Sequence, residues 1–382
     1  MPVPILYLSA AGHLGGAELS LVELLRALDR DRYTPLLAVP QSGPEDLSQA
    51  ARACGVDVHA LPLDPVRRIG NPAALIKGLH GLRTAGRAVA ALVRDTSAQI
   101  VHANTARAAL SVALAPDGPS APLLCHHRDL RLPWPMRGLL ARRTAVAVAA
   151  SDAVAEFLRG HAPAGGVHVV PSGVDLASFQ ALPDKAQARA RLGLSSDPLL
   201  LAVGQPVAWK RHDLFVDTLI RVCAHLPGAR GLVAVGSHAD AVRAPLVDRL
   251  HREARARGLD EHAFSVRSFA HADMPTVYAA ADALVHLAER EPFGRAVVEA
   301  MAAGLPVVAA HSGGPVTTLA HGGGRLVPVG DAPAAARAVR DCLADAALLA
   351  DLRANRLARA APFSAPATTR RIEGLYARLL TR

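Results

Sequence analysis

Short apolar segments alternate with helical patterns along almost the whole chain, in two successive series. The apolar segments of both series end in small or polar residues. Because strands that alternate with helices form parallel sheets covered on both faces, each series predicts one doubly wound α/β domain. The predicted strands of the first series are Ile5–Ala10, Thr34–Pro40, Val56–Leu61, Gln99–Asn104, Pro122–His127, Ala145–Ser151 and Val167–Ser172. Those of the second series are Leu199–Gln205, Gly231–Gly236, Phe264–Phe269, Ala283–Leu287, Pro306–Ala310 and Arg325–Val329.

A polar stretch from Pro171 to about Pro198 separates the two series and is the predicted domain boundary. The chain has 382 residues, of which 51% are apolar, so it is long enough to bury two cores. We predict one Rossmann-like domain over residues 1–180 and a second over residues 190–362. Residues 363–382 are predicted to hold a final helix, whose pattern runs from Ala367 to Leu380.

Composition excludes several classes of protein. Aromatic residues make up 3% of the chain, too few for the stacked-aromatic surfaces of single-strand nucleic-acid binders, despite the net charge of +9. No Cys-x-x-Cys pair occurs, and no Asp-x-Asp pair or histidine cluster with metal-ligand spacing lies in a plausible site loop. No apolar run approaches the roughly 20 residues of a spanning helix, and the N-terminus lacks a leader pattern. We expect a cytoplasmic protein, either free or peripheral to the inner face of the membrane, with no nucleic-acid partner and no cofactor.

Two glutamates flank a Phe-Gly turn that leads into a predicted helix. Glu291 lies in the loop, where a carboxylate can accept hydrogen bonds from sugar hydroxyls. Phe293, Gly294 and Arg295 place backbone N–H groups at the helix start, which favours anions. Glu299 follows about two turns into the helix, from where it could reach a ribose diol. Any surface helix can carry two such glutamates, so the interpretation depends on the surrounding residues.

The segment Ala288–Val308 resembles retaining glycosyltransferase family 4, whose members share the two-domain GT-B fold. Those members carry Glu-x-Phe-Gly, a second Glu in the next helix and then Ala-Met-Ala-x-Gly-x-Pro-Val-Val, and each of these positions is present. The likeness continues through His311–Pro315 and Gly324–Asp331, with a shorter echo at Gly15–Glu18. It implies an acceptor-side domain and a nucleotide-sugar donor domain facing across a cleft, with the final helix crossing back to the first domain.

Other candidates for donor binding follow strand ends, where open parallel sheets bind ligands. Gly15 and Gly16 follow the first strand, and their N–H groups suit a phosphate, although such a turn can need glycine for backbone freedom alone. In the resembling family the loop after the first strand of the second domain presents an Arg and a Lys to the donor diphosphate. Lys210 matches the Lys, Gln205 stands at the Arg position, and Arg211 is the alternative cation.

Further candidates lie in the first domain. His126 lies at the end of the fifth strand and matches the family's histidine that faces the reacting sugar. In that family the histidine is thought to contact the sugar through its backbone carbonyl. The resemblance therefore does not imply that His126 is a general base. The acceptor-side candidates are Asn104, at the end of the fourth strand, and Arg128 and Trp134, after the fifth strand. The basic segment Val66–Arg87 is either an amphipathic helix that approaches anionic lipid or a solvated helix face packed on the sheet.

The resemblance implies a metal-independent retaining transferase that moves a hexosyl unit from a UDP-linked or similar donor to a hydroxyl of a glycan, lipid or natural product. Two other functions fit the same architecture: a sugar-nucleotide epimerase, and a non-catalytic nucleotide-sugar-binding partner subunit. The partner-subunit alternative stays open because this chain departs from the family at two positions. Gln205 stands where the family has Arg, and Thr317 stands where many relatives have Glu. The predicted catalytic residues are His126, Lys210 and Glu291. The predicted donor-binding residues are Gly15, Gly16, Gln205, Lys210, Arg211, Phe269, Glu291, Phe293, Gly294, Arg295 and Glu299.

Overall fold

The chain forms two compact units, each with its own parallel sheet. The structure, a computed structural model, describes residues 1–63, 72–113, 120–132, 134–236 and 240–381. The first unit comprises Met1–Gly173 with Ala365–Arg382, and the second comprises Val174–Ser364. Every described strand pair is parallel. The two doubly wound domains predicted from the sequence are therefore confirmed.

The strands and helices alternate as the sequence predicts, with strand ends displaced by at most a few residues. The described strands are β1 (Val3–Leu8), β2 (Tyr33–Pro40), β3 (Asp57–Leu61), β4 (Ile100–Ala103), β5 (Leu123–His127), β6 (Val146–Ala149), β7 (Val167–Val169), β8 (Leu199–Val203), β9 (Arg230–Gly236), β10 (Phe264–Phe269), β11 (Ala283–His286), β12 (Val307–Ala310) and β13 (Gly324–Val327). The described α-helices are α1 (Gly16–Ala27), α2 (Asp46–Arg52), α3 (Pro72–Thr96), α4 (Ala106–Ala113), α5 (Trp134–Arg143), α6 (Asp152–Phe157), α7 (Lys185–Leu192), α8 (His212–Cys223), α9 (Asp240–Ala256), α10 (Met274–Ala280), α11 (Arg295–Ala303), α12 (Gly314–Leu319), α13 (Ala332–Ala344), α14 (Ala346–Ala354), α15 (Arg356–Ala360) and α16 (Ala365–Leu380).

Each sheet reverses its strand order at one point, and this point locates the candidate sites. The first sheet has the order β3-β2-β1-β4-β5-β6-β7, and the second has the order β10-β9-β8-β11-β12-β13. The reversals lie between β1 and β4 and between β8 and β11. Ligands of open parallel sheets bind in the crevice beyond the carboxyl ends of the strands at such a reversal. The loops after these four strands hold most of the residues that the sequence selects.

Both faces of the first sheet are buried, as a parallel sheet requires. Along β1, Ile5 and Tyr7 pack in one apolar cluster, whereas Leu6 and Leu8 pack in the cluster of the opposite face. The helix α16 contributes apolar residues to the first of these clusters, namely Ile372, Leu375, Tyr376 and Leu379. The last helix of the chain is therefore part of the first unit's core.

The helix α3 covers the described part of the basic segment Val66–Arg87. Residues 66–71 lie outside the described residues. Within the described part, Arg83 and Arg87 are exposed, whereas Leu82 and Ala85 are buried. Among the described side chains of this segment, arginines are thus exposed to solvent and apolar residues are buried, whereas the side chains of residues 72–77 and 79 lie outside the described part. Among the described residues, no helix combines the length and the apolar character needed to cross a membrane.

Candidate functional site

Glu291 is the centre of a buried polar cluster at the carboxyl edge of the second sheet. It lies in the loop between β11 and α11, and its Oε2 accepts a hydrogen bond from Nζ of Lys210, in the loop after β8. His286, the last residue of β11, reaches the same oxygen with Nε2 at 3.1 Å. The structure therefore brings two of the predicted catalytic residues into direct contact and adds a histidine that the sequence analysis did not select.

The backbone of the Glu291 loop is held by close contact with the loop that follows β12. The N–H of Gly314 donates to the carbonyl oxygen of Glu291 at 2.7 Å. A Cβ atom at Gly313 would collide with that carbonyl group, and one at Gly314 would collide with the backbone of Phe293. Gly294 precedes α11 with φ of +93°, a conformation that favours glycine. The glycines thus allow the approach that positions Glu291.

The negative charge of Glu291 in this cluster is compensated by the positive charge of Lys210. Burial alone would raise the pKa of Glu291, but the Lys210 ammonium and the His286 hydrogen bond outweigh it and hold that pKa below its usual range. Burial lowers the pKa of His286, and although the hydrogen bond to Glu291 opposes this, the nearby Lys210 charge adds to the lowering. At neutral pH the cluster therefore contains an ammonium, a carboxylate and a neutral imidazole. Since an ionised carboxylate only accepts, the imidazole proton lies on Nε2.

Glu299 is also buried and is held by two partners within the second unit. Its Oε2 accepts a hydrogen bond from the Tyr278 hydroxyl at 2.7 Å, and its Oε1 lies 3.3 Å from Nη2 of Arg295, one helical turn earlier. Burial raises the pKa of Tyr278, and the Glu299 carboxylate raises it further, so the phenol remains a donor. The guanidinium of Arg295 thus steadies Glu299, in addition to any role of its backbone N–H.

The remaining donor-site candidates of the second unit differ in their surroundings. Arg211 donates to Glu289 and contacts Asp213, with Nε 3.0 Å from Oδ1, so the alternative cation is already paired with two carboxylates. Gln205 lies half-buried in the loop after β8. Phe269 is buried at the end of β10, which is two strands away from β8 in the sheet. The structure therefore places Gln205 in the same loop as Lys210, whereas Phe269 lies two strands away from that loop.

In the first unit, a carboxylate of α1 lies against the N-terminus of the same helix. Glu18 is the third residue of α1 and is buried. Burial raises the pKa of this carboxyl, although the nearby backbone N–H groups of Glu18 and Gly15 favour its charged form. A Cβ atom at Gly15 would lie 2.9 Å from Oε2 of Glu18, so glycine leaves room for the carboxylate. A carboxylate thus occupies the turn at which the sequence predicts a phosphate, and contact of Gly15 and Gly16 with a phosphate stays a prediction.

His126 is buried near the end of β5 and is held as a neutral hydrogen-bond donor. Nη2 of Arg128 lies 3.2 Å from its Nδ1, and Arg128 also donates to Ser172. Since a guanidinium only donates, Nδ1 is the acceptor and the proton lies on Nε2. Burial lowers the pKa of His126 well below its usual value, and the Arg128 charge lowers it further. Among the described residues, Nε2 of His126 has no hydrogen-bond partner.

Asn104 directly follows β4, which pairs with β5, the strand that holds His126. Its Nδ2 donates to the carbonyl oxygen of Ala17 in α1 at 3.1 Å, whereas its buried Oδ1 finds no partner within the described part of the chain. The carboxyl edge of the first sheet therefore offers an N–H donor on His126 and a C=O acceptor on Asn104. The side chain of Trp134, the third acceptor-side candidate, lies outside the described residues.

Metal ligands are not grouped in the part of the chain that the structure describes. No set of three or more His, Cys, Asp or Glu side chains in that part is arranged to hold a metal ion. The cation beside Glu291 is the Lys210 ammonium.

Two family models match the chain. The model described as Glycosyltransferase Family 4 matches residues 14–178, and the model described as Glycosyl transferases group 1 matches residues 184–359. The chain belongs to the family 4 glycosyltransferases. The first match includes His126, and the second includes both Lys210 and Glu291.

Curated relatives are similar over part of their length. The mannosylfructose-phosphate synthase of Agrobacterium fabrum is 31% identical over 143 residues, which are 37% of this chain and 31% of that protein. The D-inositol 3-phosphate glycosyltransferase of Mycobacterium tuberculosis is 36% identical over 150 residues, which are 39% of this chain and 30% of that protein. The chain thus spans about a third of the length of these relatives.

Solved structures share the fold over the whole chain. The Anabaena protein HepE, solved in complex with UDP-glucose, is 24% identical and has a TM-score of 0.82. The likeness covers 98% of this chain and 99% of that one. The GT-B fold implied by the sequence resemblance is thereby confirmed for the two Rossmann-like units.

Three residues of these sites escape the sequence analysis. His286 ends an otherwise apolar strand, and this single polar position is the only local signal. Tyr278 precedes Glu299 by 21 residues on another helix, so local spacing gives no indication of their contact. Glu18 has a local signal, since acidic residues in the first turn are favoured at a helix N-terminus.

Proposed function

We propose that this protein is a retaining glycosyltransferase that moves a hexosyl unit from a UDP-linked sugar to an acceptor hydroxyl. The observation that carries the proposal is the buried, ionised Glu291 in contact with Lys210 where the second sheet reverses its strand order. Membership of the family supports glycosyl transfer as the reaction. The complex of HepE with UDP-glucose supports the class of donor.

In this proposal the second unit holds the donor. Glu291 accepts hydrogen bonds from the sugar hydroxyls, Glu299 accepts from the ribose diol, and Lys210 neutralises the diphosphate. The N-terminus of α11 adds backbone N–H groups beside the same phosphates. Charge that builds on the leaving diphosphate is thereby stabilised by groups already in place.

The bond changes follow from retention. The bond between C1 of the sugar and the diphosphate oxygen breaks, and the acceptor oxygen bonds to C1 from the face that the diphosphate leaves. The acceptor proton passes to the departing phosphate oxygen. No protein group is required to remove that proton, which agrees with a neutral His126 whose Nδ1 is already engaged by Arg128.

The first unit contributes hydrogen bonds to hydroxyl groups. In this proposal His126 donates from Nε2 to one hydroxyl group of the acceptor, and Asn104 accepts at Oδ1 from a hydroxyl group. Arg128 keeps His126 in the donating tautomer. The acceptors to test first are sugar phosphates and inositol phosphates, because the names of the two curated relatives described above contain a sugar phosphate and an inositol phosphate.

The test is a transfer assay with UDP-glucose and a panel of sugar and inositol phosphates, with the product examined by proton NMR. An α-linked product from the α-linked donor, formed at the same rate with a chelator present, is expected. A β-linked product would contradict retention. Epimerised donor in the absence of acceptor would identify an isomerase, and donor binding without any product would favour a partner subunit.

A further inference from the structure

One oxygen of Glu291 receives two donors from different elements. Lys210 reaches Oε2 from the loop after β8, and His286 reaches the same atom from the end of β11. All three side chains are largely buried, with 15% of the Lys210 side chain, 10% of Glu291 and 4% of His286 exposed. A buried carboxylate that loses one donor therefore still has the other within reach.

This inference rests on the proposed function, in which Lys210 must compensate two anions, the Glu291 carboxylate and the donor diphosphate. In the structure its ammonium is paired with Glu291, whereas transfer requires a cation at the donor diphosphate. Gln205 cannot supply that charge, and Arg211 is paired with Asp213 and Glu289. When a diphosphate carrying two negative charges enters, it competes with a single carboxylate for the ammonium, and Glu291 loses part of its compensation.

We infer that His286 is a positioning residue that holds Glu291 in place for the donor sugar when the diphosphate draws the Lys210 ammonium away. An isolated carboxylate in a buried site is costly, so the remaining partner must compensate the charge. His286 does this by taking a proton from solvent on Nδ1, while Nε2 keeps donating to Glu291. Donor binding is then accompanied by proton uptake, and donor affinity rises as the pH falls.

The surroundings of His286 agree with this exchange. The titratable groups that face it among the described residues are Glu291, Lys210 and His212, the first residue of α8. Lys210 is the nearby cation that disfavours a charged His286 in the free protein, so its departure removes that opposition. Burial and the charge of Lys210 together lower the pKa of His212 to about 4. His212 and Glu291 itself are therefore the neighbouring groups that could take the proton instead, and proton uptake that persists in His286→Gln would identify them.

Calorimetric titration with UDP-glucose, without acceptor, measures the exchange. Titrations near pH 7 in buffers with different ionisation enthalpies give the number of protons taken up, and the pyrophosphate diester itself has no group that titrates near neutrality. We expect uptake approaching about one proton per bound donor in the wild type. His286→Gln, which can donate to Glu291 but cannot titrate, should bind donor with uptake near zero. His212→Asn is the matched control and should retain the uptake.

The same variants separate positioning from structure in the transfer assay. His286→Leu removes both the hydrogen bond and the charge, and its turnover should fall roughly 10- to 100-fold. His286→Gln should recover much of that loss, with a flatter pH dependence of donor affinity. Binding without proton uptake in the wild type, or uptake that persists in His286→Gln, overturns the inference. Failure of the wild type to bind any UDP-sugar overturns the proposed function as well.

Discussion

At the scale of single residues, the two glutamates of the second unit are held in different ways. Glu291 is compensated by an ammonium and an imidazole, whereas Glu299 is held by a phenol and a guanidinium. Both carboxylates are buried, and each makes its polar contacts with its own set of partners. Their different partners make separate tests possible.

Glu291→Gln removes the charge that the proposal places against the donor sugar. We expect turnover to fall by about 10²-fold or more, because the orienting contact is lost and Lys210 stays uncompensated. Since the pKa of Glu291 is held below its usual value, its contribution to stability is present above about pH 4.5 and is lost as the pH falls through the lowered pKa. The variant should therefore lose less stability on acidification than the wild type, measured by urea unfolding at several pH values. Glu253→Gln, an exposed carboxylate on α9, is the control.

Tyr278→Phe tests the support of Glu299. The variant keeps the ring and removes the hydroxyl, so the buried Glu299 carboxylate loses one of its two partners and keeps Arg295. We expect unfolding free energy to fall by roughly 1 to 3 kcal/mol. Tyr33→Phe is the control, because its hydroxyl contacts the carbonyl oxygen of Glu373 at 3.4 Å and Nη2 of the exposed Arg32 at 3.1 Å, and neither is a buried charge. Equal losses in the two variants, measured by denaturant unfolding, would contradict a special role for Tyr278.

At the scale of elements, the N-terminus of α1 shows how one motif supports two interpretations. The Gly15–Glu18 segment resembles an anion-binding turn, yet the carboxylate of Glu18 lies against the same helix N-terminus. Glu18→Ala should lower the unfolding free energy by about 1 kcal/mol, since the backbone N–H groups at the start of α1 lose a nearby negative charge. The same change should strengthen UDP-sugar binding if the turn also receives a phosphate. An unchanged denaturation midpoint in the variant would show that this carboxylate does not stabilise the start of α1.

The helix α16 makes a second element-scale contact with the first sheet. The hydroxyl of Tyr376 lies 2.5 Å from Nδ1 of His102 and 3.0 Å from the hydroxyl of Tyr7, and all three groups are fully buried. Burial lowers the pKa of His102 to about 3, so the imidazole is neutral. Tyr376→Phe keeps the packing and leaves two buried polar groups short of a partner. We expect a loss of roughly 1 to 3 kcal/mol, measured by denaturant unfolding, and no loss would contradict the assignment of this contact.

At the scale of the whole molecule, the fold could be predicted from the sequence because it depends on repetition. Apolar runs such as Leu199–Gln205 recur between helical patterns, and a strand buried on both faces can be recognised in the sequence as a nearly continuous apolar run. The loop holding Glu291 could also be selected, since glycine and carboxylate positions mark it. The partners His286 and Tyr278 could not, because their contacts join elements that only the packed sheet brings together. Sequence spacing carries no information about such contacts.

The central claim is a donor site built on Glu291 and Lys210, and thermal stabilisation by nucleotides tests it most directly. The measurement compares UDP, GDP, ADP and TDP and their sugar conjugates, with and without a chelator, on the wild type and on Lys210→Met. The account predicts a selective upward shift in Tm with UDP and its sugar conjugates, unaffected by the chelator and much reduced in Lys210→Met. Absence of any shift in the wild type, or an equal shift in the variant, would contradict it.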